Sequence, residues 1–263
     1  MNFSFGKNWN RFLSVLNENR IEAAENSLKK WFEKEDFREM GFLDIGSGSG
    51  LSSLAARRMG SHVFSFDFDP DSVACTRELK NRYYPNDPHW QVEKGSVLDQ
   101  GYLESLGTFD LVYSWGVLHH TGAMWQALEN VLIPLKPKGQ LCVALYNDQG
   151  WASRFWTRIK KTYNQSPGPV RGLILLLSFS RLWGPTLIKD LLKVKPFQSW
   201  KSYGRLRGMS PWHDLVDWVG GYPFETANPE RVIAFYQERG LGLVKVKTCG
   251  RGRGCNEFLF SRS

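Results

Sequence analysis

The sequence predicts an α/β fold built on a doubly wound, mostly parallel sheet. Three observations carry that prediction. Residues 41 to 147 alternate strand-like apolar runs with helical patterns, which is the signature of strands joined by crossover helices. The first run passes into a glycine bend, Gly46-Ser47-Gly48-Ser49-Gly50, that opens a helix. Acids stand near the ends of the first two runs, Asp44 in one and Asp67 in the other.

The elements follow in chain order. In residues 1–40, Trp9, Phe12, Leu13, Leu16, Ile21, Ala24, Leu28, Trp31 and Phe32 recur at near-helical spacing and predict one or two amphipathic helices. Phe42–Ile45 reads as a buried strand. The bend after it brings backbone close to a ligand, because glycine has no Cβ and tolerates positive φ. The helix beyond the bend aims unpaired N–H groups at the same place. The spacing is G-x-G-x-G, not the G-x-G-x-x-G of dinucleotide sites, and Leu51-Ser52 does not supply the Lys-Ser/Thr pair of a phosphate loop. An acid at the strand tip suits a ligand that carries positive charge.

His62–Phe66 is a second strand closed by Asp67, seventeen residues after Gly50, where a carboxylate can accept ribose hydroxyls. Phe68 would lie beside the base. Val92–Asp99 supplies a third segment, with Val97 and Asp99 near the same base. Thr108–Tyr113 is a fourth strand ending at Ser114-Trp115. Pro137-Lys138-Gly139 turns into a fifth, Gln140–Leu145, with Tyr146 and Asn147 at its end. Asn228, Pro229 and the run to Glu238 predict a capped helix, and Leu243–Thr248 with Asn256–Ser261 alternate as a strand pair.

Charge divides the chain unevenly. Twelve of the 34 basic residues lie between Trp151 and Ser210, against the single acid Asp190, so this segment holds the whole of the net +8. Trp151, Phe155, Trp156, Trp183 and Trp200 are interleaved with those bases. Three readings stay open: an anionic membrane surface, a pocket for an acidic or phosphorylated acceptor, and a helical cap with a solvated basic face. The apolar run Gly172–Ser180 is too short to span a bilayer. Cys75, Cys142, Cys249 and Cys255 form neither a disulfide framework nor a zinc spacing. With no secretory leader at the start, the expected setting is cytoplasmic, with a membrane-peripheral location as the variant of that reading.

Five pieces in order, LDIGSGSG (43–50), FSFDFDP (64–70), GSVLD (95–99), FDLVYSWGVLHH (109–120) and LKPKGQLCVALYN (135–147), resemble the class I S-adenosylmethionine-dependent methyltransferases. The VLHH stretch and Pro-x-Gly turn are similar to the ubiquinone-biosynthesis-like small-molecule methyltransferases. The resemblance covers roughly residues 40 to 147. It implies a seven-stranded Rossmann-like sheet with N-terminal helices, a helical insertion after the fifth strand and an antiparallel hairpin at the far edge. It divides the chain into an N-terminal helical cap (1–40), a cofactor-binding core (41–147), a basic helical insertion serving as acceptor-binding lid (148–225) and a C-terminal helix and strand pair (226–263). The implied cofactor is S-adenosylmethionine, with S-adenosylhomocysteine as product and no metal. The implied cofactor residues are Asp44, Gly46, Ser47, Gly48, Gly50, Asp67, Phe68, Val97, Asp99 and Ser114.

Methyl transfer from a sulfonium needs alignment more than acid–base help, and a base only where the acceptor loses a proton. His119, His120 and His213 are the candidate catalytic residues, although two neighbours on one helix point about 100° apart and so do not share one acceptor. Trp115, His119, Tyr146, Asn147, His213, Asp214 and Trp218 are the candidate acceptor residues. The stretch 212–225, dense in acids, aromatics and glycines, reads as a binding loop. An Asn-Pro-Pro-Tyr motif for exocyclic amines is absent, since Ser114-Trp115-Gly116-Val117 stands in that place. The acceptor is therefore expected to be a small molecule, acidic if the basic insertion meets it. The alternatives are a lipid or quinone methyltransferase at a membrane, an RNA methyltransferase, and a non-catalytic binding protein. No nucleic-acid module is visible, and the intact bend with its two acids argues against a lost pocket. Oligomeric state is not legible.

Overall fold

The computed structural model describes residues 13, 16–207, 211–250 and 254–262, without the side chains of 204–207 and 213. Trp9 and Phe12 of the expected N-terminal helices lie outside these residues. The chain divides into two compact units: Gly150–Phe224 is one, and the described residues before and after it form the other.

The larger unit is a seven-stranded sheet. Its strands are β1 (Gly41–Ile45), β2 (His62–Asp67), β3 (Trp90–Lys94), β4 (Phe109–Trp115), β5 (Leu135–Tyr146), β6 (Leu241–Lys247) and β7 (Cys255–Arg262), in spatial order β3-β2-β1-β4-β5-β7-β6. The first five run parallel, and β7 pairs antiparallel with both β5 and β6. The strand order reverses between β1 and β4, so the crevice of a doubly wound sheet opens at the carboxyl ends of these two strands.

Period-two alternation sorts the side chains into two cores. Phe42, Leu111, Cys142 and Leu259 face one side, with Ile21, Leu28, Leu54, Ala55 and Leu79 from the helices α1 (Glu18–Phe32), α2 (Leu51–Arg58) and α3 (Pro70–Tyr83). Leu43, Ile45, Val112 and Val143 face the other, with residues of α4 (Gln100–Ser105), α5 (Met124–Asn130) and the helix Pro229–Gln237. Local chemistry starts the helices, and at Asn228 it does so where expected. Asn17 accepts from the Arg20 N–H, Asp69 from that of Asp71, and Asn228 from that of Arg231.

Two boundaries differ from the sequence expectation. β3 begins at Trp90 rather than Val92, because the wholly buried Trp90 indole donates to Ser65 Oγ across the sheet (3.0 Å). β5 begins at Leu135, and its pairing with β4 jumps from Phe109↔Leu135 to Leu111↔Gln140. The expected turn at 137–139 survives as an irregularity inside the strand, with Lys138 at φ +61°.

The described residues of the second unit form four helices, Trp151–Gln165, Gly168–Leu192, Gln198–Arg207 and Pro211–Gly220. The stretch read as a binding loop is the last of these. Pro211, Leu215 and Val219, spaced four apart, turn inward and are buried, which is helical periodicity in a segment whose glycines come only at its end. Lys160 is buried in this unit. Its ammonium donates to the Trp218 carbonyl and lies 4.2 Å from the Trp218 ring centre and 4.6 Å from that of Phe224. Burial pulls its pKa down to about 7, against the opposing pull of Asp217. Asp190, the segment's one acid, accepts from both the N–H and the hydroxyl of Ser199 (2.8 and 2.7 Å).

Phe42 is fully buried and meets Phe32, Phe37 and Tyr113 at ring separations of 6.2, 6.1 and 5.8 Å. Phe42→Ala is therefore expected to lower the unfolding free energy of the intact chain by about 3–5 kcal/mol in denaturant titration. A loss under about 1 kcal/mol would show that this cluster does not anchor β1.

Candidate functional site

The glycine bend sits where β1 ends. Gly46, Gly48 and Gly50 all have positive φ (+78°, +55° and +78°). A Cβ on Gly46 would stand 2.4 Å from the Val117 side chain, so the absence of a side chain lets the segment after β4 close over the bend. Gly46 and Ser47 donate their N–H groups to Phe66 O (2.8 and 3.1 Å), tying the bend to the end of β2. Ser47 Oγ hydrogen-bonds Thr76 Oγ1 at 2.9 Å, and Thr76 Oγ1 lies 3.3 Å from Gly48 O. Since Thr76 has one hydroxyl proton for that carbonyl, Ser47 is the donor of the first bond.

Asp67 ends β2 beside the bend. One carboxylate oxygen accepts from Gly48 N (3.0 Å) and the other from Asp69 N (2.9 Å). Burial nonetheless raises its pKa, opposed by these backbone donors and reinforced by Asp69. Phe68, next in the chain, is 61% exposed, although rings of this size are usually covered.

Asp44 is buried, and it accepts from Ser53 Oγ at 2.5 Å. Ser53 Oγ also meets Ser65 Oγ at 2.7 Å, and Ser65 Oγ accepts from the Trp90 indole. Each hydroxyl has one proton, so the chain has one direction: Trp90 donates to Ser65, Ser65 to Ser53, and Ser53 to Asp44. Burial drives the Asp44 pKa up to about 7, Ser53 opposes the rise, and Asp67 adds to it. Among the described contacts neither of the two carboxylates meets a compensating cation. The serines and Trp90 were not found from sequence, since nothing local marks a hydrogen-bond chain that crosses three strands and a helix.

The remaining expected cofactor residues are distributed as follows. Val97 is buried and its carbonyl accepts from Asn130 (2.9 Å). Asp99 is exposed and caps α4 by accepting from Tyr102 N (3.0 Å). Ser114 is wholly buried, with its hydroxyl donated to Ile45 O (3.0 Å), so it joins β4 to the end of β1.

Past β4, Leu118–His120 forms a single 3₁₀ turn, and α5 starts at Met124. His119 is wholly buried. Its Nδ1 accepts the Tyr146 N–H (3.3 Å), and its ring lies 3.9 Å from the Tyr146 ring centre. An imidazole that accepts at Nδ1 carries its proton on Nε2. His120 is half-buried, stands edge-on to Tyr146 at 5.5 Å, and lies 4.5 Å from His119. Glu225 N donates to His119 O (3.0 Å), and the Glu225 carboxylate accepts from Met124 N (3.0 Å), which fixes both ends of this turn. Trp115 is 49% exposed and its indole reaches Glu257 Oε2 (3.4 Å), while Lys247 holds the other oxygen (2.7 Å). Asn147 donates to Gly250 O (2.8 Å) and accepts from Asn256 (3.0 Å). The structure therefore sets His119, His120 and Tyr146 beside Glu225 and Trp115 against Glu257, two acids that sequence reasoning did not assign.

His213, Asp214 and Trp218 belong to the helix Pro211–Gly220 of the other unit. The His213 side chain lies outside the described ones. Asp214 accepts from the Tyr203 hydroxyl, and Trp218 packs on Trp156 and Phe224 at 5.8 and 5.9 Å. Among the described residues no cluster of three or more His, Cys, Asp or Glu could hold a metal.

Comparisons with known proteins agree on the core. Residues 43–141 match the family model described as a methyltransferase domain. A highly reducing polyketide synthase from Penicillium polonicum is 29% identical over 162 residues, which is 52% of this chain and 6% of that one. The mitochondrial ubiquinone biosynthesis O-methyltransferase of Schizosaccharomyces pombe is 27% identical over 143 residues, 51% of this chain and 47% of that one. The chain thus spans less than half the length of these curated relatives. Among solved structures, magnesium protoporphyrin IX methyltransferase from Synechocystis PCC 6803, with S-adenosylhomocysteine bound, superposes with a TM-score of 0.55 at 13% identity, covering 94% of this chain and 89% of that one. At that identity the likeness establishes the fold.

The Asp44 pKa gives a sign to test. A folded-state pKa near 7, against an ordinary 3.8, means that the carboxyl contributes stability while protonated and loses that contribution as pH rises through 7. Asp44→Asn keeps the shape and removes the titration. Its stability advantage over the parent is expected to grow by about 3 kcal/mol between about pH 5 and about pH 8 in denaturant unfolding. Parallel curves across that range would show that burial does not penalise this carboxylate.

Proposed function

We propose that this chain, a class I S-adenosylmethionine-dependent methyltransferase by its domain match and fold, transfers a methyl group to a small-molecule acceptor. The observation that carries the proposal is the pair of strand-tip carboxylates around the glycine bend, raised in pKa and arranged for a cationic nucleoside. The bound cofactor supplies an electrophilic methyl group on a sulfonium and departs as S-adenosylhomocysteine.

The residues fit that ligand. The Asp67 carboxylate, placed by backbone N–H groups at the end of β2, would accept the ribose hydroxyls on its remaining lone pairs. The exposed Phe68 ring offers a face to adenine, and Val97 and Asp99 stand on the loop that follows the neighbouring strand. Asp44, buried behind the bend, contributes a negative field that favours the ammonium and sulfonium ends. The bare Cα atoms of Gly46, Gly48 and Gly50 would let the bend run close to the ligand, with Ser47 tying it to Thr76, and Ser114 holds β4 against this rim.

Acceptor chemistry falls to the other side of the strand ends. Trp115 and Tyr146 present ring faces, and Asn147 holds the backbone beside them. Of the two histidines, His120 is the better base. His119 is buried, and its Nδ1 is engaged by the Tyr146 N–H, which suits it to orient the turn. His120 would take the proton of a hydroxyl acceptor as the acceptor lone pair attacks the methyl carbon and the sulfur takes back the bonding pair. The curated match to an O-methyltransferase supports oxygen as the atom methylated.

Calorimetric titration with S-adenosylmethionine tests the cofactor site. Asp67→Ala is expected to abolish measurable binding while leaving circular dichroism unchanged, and unaltered affinity would contradict the assignment. With tritiated cofactor and a panel of small phenols and carboxylic acids, His120→Gln is expected to reduce transfer roughly 10²- to 10⁴-fold without weakening cofactor binding. Unreduced transfer by that variant would remove His120 from the reaction.

A further inference from the structure

The long helix Gly168–Leu192 has two unlike faces. Leu175, Ser178, Phe179, Leu182 and Asp190 lie on one side and are buried or half-buried. Phe179 meets Trp200 at 5.8 Å, so this side is packed within its own unit. At about 100° per residue, Val170, Leu173, Leu176, Leu177, Ile188 and Leu191 line the opposite side. All six are exposed, Leu176 and Leu177 by 60 and 61% and Leu191 by 67%. Ser180 and Gly184 fill the middle of this stripe with small residues. Arg181 borders it, and past the helix end Leu192, Val194 and Phe197 extend the exposed apolar surface, with the exposed Lys195 among them.

A run of large aliphatic side chains along one helix face is beyond the scattered exposure usual on a soluble surface. We infer that this face docks on an anionic lipid bilayer, with the helix lying in the interface plane. The occupant follows from charge and side-chain type together. Residues 151–210 hold twelve bases and one acid, so a second copy laid on this face would set like charge against like charge. Nucleic acid would match the charge but has no use for six exposed aliphatic side chains, since its single strands bind through aromatic stacking and its duplexes through polar groups. An anionic membrane satisfies both features, with acyl chains for the leucines and headgroups for Arg181 and the other bases of the segment. Among the described residues no helix is long and apolar enough to cross the membrane, and the packed inner face keeps this one on its surface.

The inference is independent of the methyl-transfer reading, because vesicle flotation needs neither cofactor nor acceptor. Purified chain is mixed with vesicles of phosphatidylcholine alone or of phosphatidylcholine with phosphatidylglycerol, at low and high salt. Flotation is expected with the anionic vesicles only and is expected to weaken with salt. Leu176→Glu with Leu177→Glu, both at exposed positions, is expected to reduce partitioning tenfold or more. Arg181→Glu with Lys195→Glu is expected to abolish it at low salt. Absence of flotation, equal flotation with zwitterionic vesicles, or flotation indifferent to the leucine changes would overturn the inference. So would a stable dimer by light scattering that the leucine changes dissociate, or binding to RNA in place of vesicles.

Discussion

The structure of the site depends on one constraint: two carboxylates must be held close to a bare backbone bend. The Gly48 N–H bond to Asp67 joins the bend to the tip of β2, while the directed chain from Trp90 through Ser65 and Ser53 ends on Asp44. Neither acid has a partner cation among the contacts described above, and burial raises the pKa of both. Placing such groups in a core is costly unless something of opposite charge completes them. The bend, the serine relay and the crevice at the strand-order reversal make physical sense as parts of one cation-binding edge.

Much of this edge was legible from local sequence. Phe42–Ile45, His62–Asp67 and the G-x-G-x-G bend are short-range patterns, and short-range physics sets them: apolar runs for buried strands, glycine for positive φ. The helix cap at Asn228 is equally local. Alternation showed β6 and β7 as a strand pair, and the family resemblance implied their antiparallel hairpin. What could not be read has long-range causes. Ser53 and Ser65 look like any helix or strand serine until Trp90 is brought beside them. Trp115 and Glu257 meet across 142 positions, and Glu225 finds Met124 across 101. The start of β5 at Leu135 depends on pairing with Phe109, not on its own composition.

The insertion taught a different lesson about composition. Its charge excess was plain from the residue count, but counting cannot tell a solvated face from a docking face. That distinction needed the orientation of helix Gly168–Leu192, with Phe179 inside and Leu176 outside. The segment 211–220 shows the converse error. Its acids and aromatics suggested a binding loop, yet Leu215 and Val219 bury themselves as a helix must, and Trp218 serves the aromatic surround of Lys160.

The most direct test of the carboxylate account is proton linkage. Titration of the chain with S-adenosylmethionine near neutral pH, in buffers of differing ionisation enthalpy, counts the protons exchanged on binding. The account predicts that the parent releases protons as the ligand's positive charge lowers the Asp44 pKa, and that the Asp44→Asn variant loses this component. Identical proton exchange in parent and variant would contradict it.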